Sequence, residues 1–279
     1  MRVLVTGAQG QVGRELLGVF DDVVGAGRGL DVGVRDQVFQ AVSAVQPDVI
    51  VHAAAWTDVD GCEGDPDRAL RANAVGTRHV AQAARLVGAR VCYLSTDYVF
   101  RGDLDRPYHE WDEPDPLSVY GRSKLAGERE LSAEDLIVRT SWVFGRHGRN
   151  VVKTVLRLAA ASTEELGFVD DQRGCPTSAA DLAAGVRTLV EGRAAGTYHV
   201  TNQGAVTWFE FAQDVLRLAG EDAERVRPIK SADLARPAPR PANSVLDNAA
   251  LRLTGLPLLP DYRQSLQQLV QQLTKEGLQ

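Results

Sequence analysis

Three groups of residues in this chain could do chemistry together. Tyr120-Gly121-Arg122-Ser123-Lys124 puts a phenol and an ammonium four positions apart, and residues four apart share one face of a helix. A phenol titrates near ~10 when unperturbed, and an adjacent cation favours its ionised form. Lys124 is therefore expected to lower the pKa of Tyr120. That pair suits protonation of a carbonyl oxygen as hydride reaches its carbon. Alone, the motif equally fits an exposed helix. The second group is Ser95-Thr96-Asp97, which ends an apolar run with a hydroxyl. The third is Gly7, Gly10 and Gly13, spaced G-x-x-G-x-x-G between an apolar run and a helical pattern. Such a turn lets the backbone approach a pyrophosphate, whose charge the free amides and the helix dipole hold.

These residues need elements to carry them. Apolar runs at 2–6, 22–25, 48–53, 90–95, 135–140 and 196–201 read as strands. Helical spacing recurs over 11–20, 35–45, 66–87, 117–131, 151–160, 178–190 and 208–219. The run at 48–53 is almost uninterrupted, as expected of a strand covered on both faces. Strand–helix alternation at this spacing predicts an α/β fold, a Rossmann-type doubly wound parallel sheet. Thr96 then falls at a strand's C-terminal end, where open α/β sheets bind ligands. Regularity loosens near residue 145. The chain is expected to divide into a dinucleotide-binding domain over 1–146, rejoined by about 178–201, and a smaller substrate-binding lobe formed mainly by 147–279. Pro237, Pro239 and Pro241 force an extended or turning path between them and so predict a surface or binding loop.

Composition narrows the function further. Among 279 residues, 31 basic side chains face 37 acidic ones, for a formal charge of −6. That balance disfavours nucleic acid and anionic lipid as partners. No apolar run of about 18 residues predicts a membrane span, and the first residues do not read as a signal peptide. Cys62, Cys92 and Cys175 are odd in number and widely spaced. They predict neither a disulfide framework nor a zinc site, and a reducing cytoplasm fits them best.

The glycine spacing, the hydroxyl at Thr96 and the Tyr120–Lys124 pair together resemble the extended short-chain dehydrogenase/reductases. An acidic residue after the second strand would favour NAD. The sequence has Gly27-Arg28 there, so Arg28 is expected to pair with a 2′-phosphate and favour NADPH, NADH being the alternative if Arg28 is merely solvated. Asp31-Val32 resembles the pair beside the adenine ring. A closer resemblance follows. Ala53-Ala54-Ala55-Trp56-Thr57-Asp58-Val59-Asp60, with Glu63 and Pro66, resembles a signature of the dTDP-4-dehydrorhamnose reductases. So do STDYVFRG from Ser95, VYGRSKLAGE from Val119, RTSWVF from Arg139, Asp171-Gln172 with Gly174, Pro176-Thr177, and Arg240-Pro241-Ala242-Asn243-Ser244. The likeness runs through essentially the whole chain.

That resemblance implies roles. Thr96 would bond the substrate C4 carbonyl, Tyr120 would donate the proton, and Lys124 would hold the nicotinamide ribose. Gly7, Gly10, Gln11, Val12 and Gly13 would line the pyrophosphate, with Ala53, Ala54 and Ala55 behind the cofactor. Tyr98 and Trp142 would meet the deoxysugar, and Arg240 and Asn243 the nucleotide diphosphate. Trp142 as plain core and Arg240 as a solvated charge stay open. Glu15 matches one magnesium-bridging position described in some relatives, but Ala180-Asp181 stands where a second would fall, so no metal is expected and the chain would be a monomer or homodimer. Trp56 has no evident role, and His52 reads as a core histidine. The expected reaction is NADPH-dependent reduction of the C4 keto group of dTDP-4-dehydro-L-rhamnose to dTDP-L-rhamnose, with Tyr120 as proton donor. Alternatives are a sibling reductase serving streptose or an antibiotic sugar, an NADP-binding regulatory subunit of the kind that partners methionine adenosyltransferase, and a nucleotide-binding scaffold.

Overall fold

The computed structural model describes residues 1–276. Six parallel strands form its central sheet: β1 (Arg2–Thr6), β2 (Asp22–Ala26), β3 (Val49–His52), β4 (Arg90–Thr96), β5 (Leu136–Thr140) and, after a short β6 (Leu166–Val169) outside the sheet, β7 (Gly196–His199). Their spatial order is β7-β5-β4-β3-β1-β2. Chain direction along the sheet reverses at β1, so a crevice opens between the C-terminal ends of β1 and β3. All four residues of β3 are buried, whereas the edge strand β2 keeps no fully buried residue. This is the contrast expected between a central and an edge strand.

Helices cover both faces. On one, α1 (Gln11–Val19) packs beside α8 (Ala179–Glu191), with Leu16, Leu182 and Val186 in one core with Val3 and Val5. On the other, α2 (Arg35–Val45) and α5 (Gly76–Val87) bury Val38, Val42 and Val80 against Leu4 and Ile50. Between them α3 (Val59–Gly64) and α4 (Pro66–Leu70) cross the top of the sheet. The single helix expected over 66–87 is interrupted: Arg71–Val75 is a π turn between α4 and α5. Such bulges cluster at functional sites, and this one presents Asn73. The helix α6 (Val119–Glu128) follows β4, and α7 (Val151–Ala161) follows β5.

The C-terminal part has its own core. Val152, Val155, Phe211, Leu216, Tyr262 and Leu266 from α7, α9 (Trp208–Ala219) and α11 (Tyr262–Glu276) pack together with Phe144, which precedes α7. Beside them β6 pairs in parallel with β8 (Val226–Ile229). The short α10 (Ala249–Leu253) returns to β7. Neither α3, α10, α11 nor the β6–β8 pair was evident from spacing. Each is short, or, like α11 with its glutamines, too polar to stand out. No helix among the described residues is long and apolar enough to cross a membrane.

Candidate active site

The glycine turn is built by close approach. Gly7 adopts φ +67°, and a Cβ there would lie 2.7 Å from the Ala54 nitrogen. A Cβ on Gly13 would lie 2.2 Å from the Gly7 carbonyl oxygen. Only glycine lets this turn fold against both β3 and its own helix. Gly10 caps α1 without a side-chain bond, so the first-turn amides stay available to an anion. The Gln11 side chain is engaged elsewhere: it donates to the Val143 carbonyl at 2.9 Å and accepts from Asn150 at 2.8 Å.

A cleft of about 530 Å³ runs from this turn across the sheet ends. Gly10, Gln11, Val12, Gly13, Ala53, Ala55, Thr96, Tyr98, Tyr120, Lys124 and Trp142 all line it, so residues far apart in sequence converge. Ala54 turns away into the α2–α5 core, as alternation along an extended chain requires. Arg28, Asp31 and Val32 lie outside the cleft lining. The Arg28 amide donates to Gln9 of the glycine turn at 3.3 Å and its side chain is exposed. Asp31 pairs with Arg71 at 3.0 Å, and Val32 is buried beneath α5.

Thr96 and Tyr120 meet because α6 comes unusually close to the turn after β4. Ser118 caps the helix by accepting from the Gly121 amide, and a Cβ on Gly121 would lie 2.1 Å from the Tyr98 carbonyl oxygen. Glu63 ties α3 to the same point by accepting from the Val119 amide at 2.7 Å. The Tyr120 phenol is buried and lines the cleft with Thr96, and Tyr98 packs edge-on against its ring.

The electrostatics overturn one expectation. Burial, with Asp97 next, pushes the Tyr120 phenol above its ordinary value, and Lys124 is not among its main perturbers. Desolvation outweighs the cation because Lys124 faces another way: its ammonium donates to the Leu94 carbonyl at 2.7 Å and sits 4.0 Å over the Tyr93 ring. Burial itself lowers Lys124 to about 7, partly opposed by Glu128. Tyr120 thus stands as a neutral O–H donor, the form that gives a proton to an alkoxide.

The far wall is aromatic. Trp142 lies flat on Trp208, centroids 3.5 Å apart and planes 6° from parallel. Its φ of +46° is rare for a bulky residue. Beyond it a second cleft of about 650 Å³ is lined by Gln172, Ser231, Arg236 and Arg240, and Tyr98 and Trp208 line both cavities. Arg240 is already engaged, donating to both Asp60 oxygens at 3.0 and 2.9 Å. Arg236 joins it on Asp60 at 3.2 Å. Asn243 lines neither cleft; its amide donates to the Leu104 and Arg106 carbonyls and so fixes that loop.

Four site residues escaped the sequence reading. Trp208 carried only helical spacing, and Asp97 read as part of a motif. The Asn73 amide clasps Trp56 from the π turn, accepting from its N–H at 2.8 Å and donating to its carbonyl at 3.1 Å. Thr140 presents a buried hydroxyl without a partner to the first cleft. Glu15 lies in a separate cleft, 3.9 Å from His147, while Asp181 there accepts from Asn202 and Ser265.

A parallel sheet with a glycine turn at its reversal point, and a threonine, tyrosine and lysine at its strand ends, defines an extended short-chain dehydrogenase/reductase. Within that class residues 1–275 match the RmlD substrate binding domain family. A dTDP-4-dehydrorhamnose reductase of Streptomyces griseus is 46% identical over 279 residues, covering 95% of this chain and 91% of that protein. A dTDP-4-keto-6-deoxy-D-glucose reductase of Streptomyces niveus is 40% identical, with 91% of each covered. The crystal structure of a dTDP-4-dehydrorhamnose reductase from Bacillus anthracis, in complex with NADP, superposes with a TM-score of 0.93 at 39% identity over 97% of this chain and 99% of that one. The chain belongs to this family of reductases.

Proposed function

We propose that the protein reduces the C4 ketone of dTDP-4-dehydro-L-rhamnose to dTDP-L-rhamnose with NADPH. The observation carrying this reading is the position of the Thr96–Tyr120 pair between the glycine turn on one side and the Trp142–Trp208 wall on the other. The cradle formed at Gly7, Gly10 and Gly13, closed to a Cβ at Gly7 and Gly13 and left without a side-chain cap, fits a dinucleotide pyrophosphate. When bound, the cofactor supplies the hydride. Lys124, now on the Leu94 carbonyl, would hold a ribose hydroxyl, and the exposed Arg28 would hold a 2′-phosphate. Thr96 and Tyr120 both bond the ketone oxygen, and Tyr120 gives it the proton. The face of Trp142 takes the apolar side of the sugar. Arg240 reaches the diphosphate once that anion competes with Asp60.

A sibling reading, reduction of a different dTDP-4-keto-6-deoxy sugar, has one support: the Streptomyces niveus relative bears such a name at 40% identity. The test is NADPH oxidation with the keto sugar generated in situ, followed by stereochemical identification of the product. dTDP-L-rhamnose supports the first reading, another 6-deoxy sugar the second. Cofactor binding without turnover of either would leave a binding subunit.

A further inference from the structure

Thr140 ends β5, and the roles above leave its side chain without a task. It is 7% exposed. Its hydroxyl oxygen is buried, belongs to the lining of the first cleft and has no hydrogen-bond partner among the described residues. A buried hydroxyl left unpaired costs free energy, and native structures rarely keep one that nothing meets. The next hydroxyl along the chain is already engaged: Ser141 donates to the Cys175 carbonyl at 2.6 Å.

Register and packing fix the part of the cleft that Thr140 faces. It pairs with Thr96 across β4 and β5, so both side chains leave the same face of the sheet. Below them on that face, Leu94 and Val138 belong to the α1–α8 core. Three residues further on, the Val143 carbonyl is fastened to Gln11 of the glycine turn at 2.9 Å. Thr140, Val143 and Leu182 line the first cleft and not the second. They therefore stand in the half beside the glycine turn.

A hydroxyl both donates and accepts, so an amide or another hydroxyl complements it better than a charge does. At the nicotinamide end of a dinucleotide the polar groups are the pyrophosphate, the ribose and the ring carboxamide. In the roles proposed above, the glycine turn takes the first and Lys124 the second. The carboxamide remains, and the apolar side chains of Leu94, Val143 and Leu182 suit the flat ring that carries it.

We propose that Thr140 is a cofactor-positioning residue whose hydroxyl bonds the nicotinamide carboxamide. That bond fixes the rotation of the ring about its link to the ribose, and so the face it turns to Thr96 and Tyr120. The idea rests on the NADPH reading and is independent of which sugar is reduced. Thr140 itself moves neither proton nor electron.

Thr140→Val keeps the shape of the side chain and removes the hydroxyl. Calorimetric binding of oxidised cofactor is the readout, and it needs no turnover. The probes are NADP⁺, its 3-acetylpyridine analogue, which lacks the amide N–H groups, and its thionicotinamide analogue, in which sulfur replaces the amide oxygen. The wild type should prefer NADP⁺ to at least one analogue by roughly 2- to 12-fold, the range of one net hydrogen bond. T140V should lose about that factor toward NADP⁺ and bind the disfavoured analogue as the wild type does, which closes the gap. Thr140→Ser should restore it. Should T140V fold poorly, Thr140→Ala removes the same hydroxyl and is read in the same way. The proposal is overturned by wild-type NADP⁺ affinity in T140V, by a wild type that shows no gap, or by a gap that persists without the hydroxyl. A loss confined to dTDP-L-rhamnose binding would place the hydroxyl on the sugar and overturn it as well. A wild type that binds no NADP⁺ would instead overturn the cofactor reading.

Discussion

Trp142 and Trp208, 66 positions apart in the chain, stack with planes 6° from parallel and 3.5 Å between centroids. The Trp142 backbone holds its strained φ between that stack and Gly174, where a Cβ would lie 2.5 Å from the indole. The aromatic wall of the cleft, proposed above to meet the sugar, is therefore a two-residue structure, with Trp208 as its backing. Aromatic pairs contribute about 0.5–1.5 kcal/mol beyond area burial. Trp208→Ala should raise KM for the keto sugar roughly 2- to 12-fold, by that energy, with less change in KM for NADPH. Steady-state kinetics with each substrate varied separately checks the asymmetry; equal effects on both would assign Trp208 to general stability.

Tyr120→Phe removes the proposed proton donor and keeps the ring that packs on Tyr98. Loss of general acid catalysis is typically worth about 10²–10⁴-fold in rate. NADPH affinity, measured by fluorescence titration, should be nearly unchanged. A variant with near-normal kcat would remove Tyr120 from the chemistry.

Arg28 is the residue proposed to set the coenzyme preference. Its exposed side chain stands on the turn beside Gln9. Arg28→Ala should lower kcat/KM for NADPH by about tenfold, one lost charged hydrogen bond, and leave NADH nearly untouched. The neighbouring Arg71, paired with Asp31, is the residue to examine if the ratio does not move.

Asp60 joins the proline-rich loop to the cofactor half of the molecule through Arg240 and Arg236. Its hydrogen bond to Arg240, followed by those to Ala238 and Arg236, holds the carboxyl down at about 2 despite partial burial. A carboxylate whose pKa is depressed by folding stabilises the fold above its unfolded pKa of about 4 and loses that effect as pH falls through the folded value. Asp60→Asn should thus melt lower than the wild type at pH 7, and the two melting curves should converge between pH 4 and 2. A constant gap at all pH values would deny the linkage.

Much of this site could be read along the chain because its logic is local. Gly7, Gly10 and Gly13 declare a tight turn, Tyr120 and Lys124 share a helix face, and the apolar runs declare a buried parallel sheet. Those features depend on dihedral freedom, helical periodicity and burial, which residue type and spacing encode directly. The π turn at Arg71–Val75 was hidden, since its propensities are those of the helices on either side.

What spacing could not decide was direction and competition. Whether Lys124 acts on Tyr120 depends on the Leu94 carbonyl 30 positions upstream. Whether Arg240 is a free cation depends on Asp60, 180 positions away. Asn243 is drawn to the carbonyls of residues 104 and 106, and Asp97 is stranded beside Thr96 by burial alone. The sequence by itself determined the reductase family, its strand-end chemistry and the residues able to perform it. Tertiary structure decided which of them are occupied, which are desolvated and which stand behind one another, because partners and dielectric are set by segments that meet only when the chain is folded.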